Sequence, residues 1–119
     1  MGESILVSKS FHFSIEIVNL YKILVEKEKE YVLSKQLLRS GTAIGALVRE
    51  SRNAESTLDF IHKLAIAQKE CDETIYWLEL LHATNYINKE LYDNLSNLAL
   101  ELLKIIRSTI ITCKQKVKN

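Results

Sequence analysis

Two histidines stand three residues behind a carboxylate in this chain, in Asp59-Phe60-Ile61-His62 and Glu79-Leu80-Leu81-His82. At that spacing a carboxylate and an imidazole share a helix face. A bundle makes a di-metal centre when two such motifs and two further glutamates converge. Both motifs fall in one helical pattern, 20 residues apart, or about 30 Å along a helix, so they cannot close around one pair of ions. His12 stands alone. Cys71 and Cys113 sit among apolar residues, with no C-x-x-C and no histidine placed by local spacing to activate them. They read as buried free thiols in a reducing compartment. Gly41-Thr42-Ala43-Ile44-Gly45 lacks the lysine and the strand-to-helix context of a phosphate loop. No arginine is followed four to six residues later by a histidine, so a helical RNase pair is missing. No catalytic residue, metal or cofactor is expected.

The elements that would carry any chemistry are helices. The 119 residues contain no proline and are 47% hydrophobic, which disfavours a loop-rich or all-β chain. Apolar spacing predicts a first helix from Ser8 to Glu28, with Phe13, Ile17, Leu20 and Leu24 inward, Phe11, Ile15 and Val18 on an adjoining stripe, and a solvated charge cluster at Glu26 to Glu30. A second begins at Ser34 as N-cap, carries Leu37, Gly41, Ile44 and Val48 on one face and fades at Arg52 and Asn53. Glycines four apart in an aqueous helix mark either close approach of another backbone or a kink. Ser56, with Asp59 three residues on, opens a third helix running to about Asn85, its inner face being Phe60, Leu64, Ala67, Cys71, Ile75 and Leu78. Asn88 caps a fourth that lasts to Val117. Short connections make neighbours antiparallel, so the expectation is one all-α domain over residues 1–119: an up-down-up-down four-helix bundle with short loops.

Some surfaces exceed the needs of one core. On the fourth helix Leu91, Leu95, Leu98, Ala99, Leu102, Ile105, Ile106, Ile110, Cys113 and Val117 form a wide apolar arc. Leu100 and Ile111 fall outside it, flanked by Lys104 and Arg107. An apolar line rimmed by charge is a candidate contact surface. On the third helix Ile66, Glu70, Glu73 and Trp77 share the face opposite the inner stripe, extended by Leu80 and Leu81. On the second, Arg39, Ala43, Ala46 and Glu50 form a line with Arg49 nearby. These charges are candidates either for ion pairs between neighbouring helices or for the register of a subunit interface.

Two segments carry a family likeness: Gln36-Leu37-Leu38-Arg39-Ser40-Gly41-Thr42-Ala43-Ile44-Gly45-Ala46 with Arg49-Glu50, and Phe60 through Glu70 continuing to Glu73-Thr74-Ile75-Tyr76-Trp77-Leu78. Together they resemble the four-helix bundle proteins encoded in intervening sequences of bacterial 23S rRNA genes. That family is similar to the accessory variability protein of diversity-generating retroelements. The resemblance implies a homo-oligomer, a pentameric barrel by analogy, and relatives that are strongly basic and bind nucleic acid. Ala43 and Leu47 stand where the family more usually shows serine and asparagine, so any contact through those polar side chains is absent here.

Sixteen basic and fifteen acidic residues leave a net charge of +1, so binding to RNA or DNA requires a local patch. Lys104, Arg107, Lys114, Lys116 and Lys118 are that candidate, since no acid follows Glu101. The same lysines also complement the end of a helix dipole. The leading expectation is a non-catalytic homo-oligomer presenting these cations to RNA or DNA. The alternative is a protein-protein adaptor using Ile66, Glu70, Glu73 and Trp77. The N-terminus lacks a signal-peptide pattern and no stretch is apolar enough to span a membrane, so a cytoplasmic protein is expected.

Overall fold

The computed structural model describes the backbone of residues 2–118 and the side chains of residues 5–118. Four helices follow one another: α1 (Gly2–Glu26), α2 (Leu33–Ser51), α3 (Thr57–Ala83) and α4 (Lys89–Lys118). The connections, residues 27–32, 52–56 and 84–88, are short enough that each helix must return beside its predecessor. Every helix packs on the next, and α1 closes the square against α4 along the sparsest seam. The result is an antiparallel bundle, a rod of 52 × 22 × 20 Å.

The inward residues of α1 and α2 are those their spacing selects: Phe13, Ile17, Leu20, Leu24, Leu37, Ile44 and Val48 are all buried. On α3 the inner stripe is rotated from the expected one. Ile61, Thr74 and Leu81 face the core, while Phe60 and Ile75 are half-buried at its edge. Apolar residues stand nearly all round α3, with Leu58 and Tyr76 left exposed, so spacing alone singles out no one face. Leu81 belongs to the core and not to the outer face. On α4 Leu103 is buried as well, whereas Val117 near the free end is exposed. Phe11 and Ile15 of α1, which the apolar spacing would place beside the core, are exposed.

Three helix ends follow local chemistry, and one does not follow the expected residue. The Ser56 hydroxyl accepts the Asp59 N–H at 3.0 Å, and the Asp59 carboxylate accepts the Glu55 N–H at 3.1 Å, a capping box shifted by one residue. Asn88 Oδ1 accepts the Leu91 N–H at 2.9 Å. Asn85 closes α3 with φ 69°, a conformation asparagine tolerates. The N–H groups of Tyr86 and Asn85 then reach the carbonyls of Leu81 and His82. Ser34, in contrast, does not cap α2, which starts at Leu33. The orphan N–H groups of Val32, Leu33 and Ser34 donate to the carboxylate of Glu30, at 3.2, 3.0 and 2.6 Å. Glu30 is thus buried, the one member of the Glu26 to Glu30 cluster that leaves solvent. Burial alone would raise its pKa, but the hydrogen bonds from Leu33, Ser34 and Val32 outweigh that and hold the carboxyl below its ordinary value.

The two α2 glycines mark close approach. A Cβ at Gly41 would lie 2.9 Å from both Cγ1 and Cγ2 of Ile17, and one at Gly45 would lie 3.1 Å from Ser14 Oγ and 3.2 Å from the Ser10 carbonyl oxygen. Ile17 is fully buried and cannot swing aside. Gly41→Ala is therefore expected to destabilise the bundle. Overpacking costs about 1–3 kcal/mol, which exceeds the gain of about 1 kcal/mol from replacing a helical glycine. Ile17→Val in the same chain should recover part of the loss. A rise in melting temperature for the single variant would contradict this packing.

Candidate functional site

The α4 surface opposite the core carries Leu100, Lys104, Arg107, Ile111, Lys114 and Lys118 at alternating spacings of four and three, the separation that keeps side chains on one line of a helix. All six are exposed. Leu100 and Ile111 are 51% and 57% exposed, values that confirm them as residues left over from core formation. A shallow depression of about 390 Å³ runs beside them, lined by Leu103, Lys104, Arg107, Ser108 and Thr112. Lys116 points elsewhere. It lines a cleft of about 310 Å³ with Ser51, Arg52, Ser56, Thr57 and Cys113, where the ends of α2 and α4 meet the start of α3. Among the described residues none of the five α4 cations forms a salt bridge.

Antiparallel packing sorts charge along the rod. The half holding the start of α1, the end of α2, the start of α3 and the end of α4 (residues 5–13, 43–70 and 104–118) contains ten Lys and Arg against four Asp and Glu. The other half, residues 14–42 and 71–103, contains six against ten. A net charge of +1 therefore conceals a strongly dipolar molecule.

The acids of α3 are engaged within the chain. The Arg39 guanidinium forms ion pairs with Glu70, at 3.2 Å, and with Glu73. The Trp77 indole N–H donates to Glu73 at 3.0 Å. The indole hydrogen bond first, then Arg39, holds the Glu73 carboxyl below its ordinary range, and Arg39 is raised in turn by Glu73 and then Glu70. The group is partly exposed, with Arg39 at 51%, so it orients α2 against α3 and adds little stability. Ile66 is half-buried beside it. Glu50 pairs with Lys63 of α3 at 3.6 Å. Arg49 turns the other way, its guanidinium carbon 5.8 Å from the centre of the Phe11 ring. Both charged ends of the line Arg39, Ala43, Ala46, Glu50 thus meet α3, while Arg49 beside it meets α1.

The histidine motifs stay apart. His82 stacks on Tyr92 of α4, ring centres 4.6 Å apart, and His62 is exposed near the opposite end of α3. No three His, Cys, Asp or Glu side chains come together as a metal-holding group among the described residues. The Cys71 thiol is buried and donates to the Ala99 carbonyl at 3.1 Å. Burial first, then the charge of Asp72, pushes its pKa up to about 12, so it is a thiol at neutral pH. Cys113 is only half-buried, because it packs against the core on one side and lines the open cleft at the bundle end on the other. No helix is long and apolar enough to cross a membrane among the described residues.

Local spacing found the α4 cations, Leu100 and Ile111. It missed the pairing of Phe11 with Arg49 and the sorting of charge between halves. The second was available as a signal, since summing charges over alternate half-helices needs only the antiparallel order.

These features define a short-looped antiparallel four-helix bundle with one strongly basic half. Residues 3–108 match the family model described as 23S rRNA-intervening sequence protein, and the chain belongs to that family. It is also similar to the crystal structure of a protein of unknown function from the S23 ribosomal protein family of Bacteroides thetaiotaomicron. That likeness has 52% sequence identity and a TM-score of 0.91, and covers 92% of this chain and 98% of that one. No curated protein matches.

Proposed function

We propose that this protein is non-catalytic, assembles with copies of itself and binds RNA or DNA through its basic half. The observation that carries the reading is the sorting of charge, ten basic against four acidic among the described side chains of one half of the rod. Phosphate backbones bind to such fields by releasing counterions, independently of base sequence. The five α4 cations are exposed and unpaired among the described residues, as a patch that meets phosphates must be. Assembly is supported by Leu100 and Ile111, large apolar side chains exposed outside the core. Five copies is the number implied by the likeness to the accessory variability protein, and α4 helices aligned in such a ring would multiply the patch. The adaptor reading is less well supported, because Glu70, Glu73 and Trp77 already satisfy one another and Arg39.

The test combines light scattering with binding of mixed RNA across a salt series. The expected results are a mass of several chains and a binding constant that falls linearly on a log-log salt plot. A monomer would remove the assembly claim. Absence of binding at about 50 mM salt would remove the nucleic-acid claim.

A further inference from the structure

The α4 stripe contains no aromatic side chain, so by itself it can hold phosphates but offers nothing for a base to stack on. An aromatic surface does exist on the same basic half, between α1 and α2. There a groove of about 410 Å³ is lined by Val7, Phe11, Thr42, Gly45, Arg49 and Asn53, a size within the range of small-ligand sites. The Phe11 ring is 55% exposed. Its partner is Arg49, 5.8 Å from the ring centre and in no salt bridge among the described residues. Glu50, the acid lining the groove, is paired with Lys63.

We infer that this groove binds an unpaired nucleobase, stacked on Phe11 beside the Arg49 guanidinium. The inference rests on the nucleic-acid reading above and deepens it by naming a single-stranded segment as the preferred ligand. A planar base offers a π-face to the ring and acceptor atoms to Arg49. The amide of Asn53, exposed in the groove lining, supplies both donor and acceptor atoms for a base edge. Arg52, the chain neighbour of Asn53, lines a separate cleft with Lys116 and adds cations at the same end of the rod. Base stacking on an aromatic side chain contributes sequence-tolerant affinity, in keeping with a site that has one amide and one guanidinium for hydrogen bonding.

The experiment compares wild type, Phe11→Ala and Phe11→Tyr on a short single-stranded RNA and on a blunt duplex, with solution mass recorded for each. Phe11→Ala is expected to weaken single-strand binding by about 5- to 150-fold, leaving duplex affinity and salt slope unchanged, and Phe11→Tyr should retain most of the affinity. Equal weakening on both ligands, or none on either, would overturn the inference. So would a change of mass in Phe11→Ala, which would make the groove an interface between copies of the chain. If wild type binds neither polymer, the basic-half reading fails on its own. The groove is then decided by adenosine monophosphate, where shifts of the Phe11 ring resonances would support it and their absence would overturn it.

Discussion

Glu30→Ala is expected to lower the free energy of unfolding by about 2–4 kcal/mol, given hydrogen bonds to a charged group of about 1.5–3 kcal/mol each and their non-additivity. Three backbone N–H groups at the start of α2 have this carboxylate as partner, that of Ser34 in a buried bond and those of Val32 and Leu33 in part-buried ones, and its removal leaves all three without it. Glu30→Gln keeps the volume and one oxygen acceptor, so its loss should be smaller, about 1–2 kcal/mol. The carboxyl titrates below its ordinary value of 4.5 when folded. Its contribution is therefore fully present above the unfolded-state pKa and fades as pH falls through the folded-state one. The difference in stability between wild type and Glu30→Gln should accordingly narrow on acidification below about 4.5. Urea denaturation at neutral and acid pH measures both effects. An alanine variant within about 0.5 kcal/mol of wild type would show that the α2 start finds other partners.

Replacing Lys104, Arg107, Lys114, Lys116 and Lys118 with glutamine is expected to reduce RNA affinity about hundredfold or more at low salt. The log-log salt slope should become shallower by about 0.7 on single strands, and about 0.9 on duplexes, for each phosphate that is no longer neutralised. All five side chains are exposed and in no salt bridge among the described residues. Folding stability should move by about 0.5 kcal/mol or less per site, with the loss concentrated at the lysines that complement the α4 dipole, and a urea midpoint measured alongside separates impaired binding from impaired folding. A slope change larger than five cations can supply would mean that several subunits present their α4 helices to one strand. An unchanged slope would relocate phosphate binding to Lys9, Arg49, Arg52, Lys63 and Lys69, the other cations on that half.

The four helices and most of their inner faces were legible because the spacing of Phe13, Ile17, Leu20 and Leu24, or of Leu37, Ile44 and Val48, reports burial directly when a helix meets the core on one side. The α3 stripe was less legible, since apolar residues stand nearly all round that helix, Leu58 and Tyr76 staying exposed while Leu81 and the polar Thr74 enter the core. Helix starts set by a residue at the N-cap, Ser56 and Asn88, were visible. The α2 start was not, because Glu30 reaches it from outside the helix.

For the site, the α4 cations and the leftover Leu100 and Ile111 needed only one helix to be seen. The partners of Arg39, Glu50 and the nearby Arg49 did not follow from their spacing on α2, because which neighbour each side chain meets depends on how α1 and α3 flank α2. Local spacing determined by itself that the chain makes four amphipathic helices and which residues each could spare. Tertiary structure alone decided that Arg39 is used within the chain, that Phe11 stands exposed beside Arg49, and that a nearly neutral sequence becomes a rod with one basic half. Periodicity is a property of one helix, whereas pairing and charge sorting arise only when antiparallel neighbours bring distant segments to the same end.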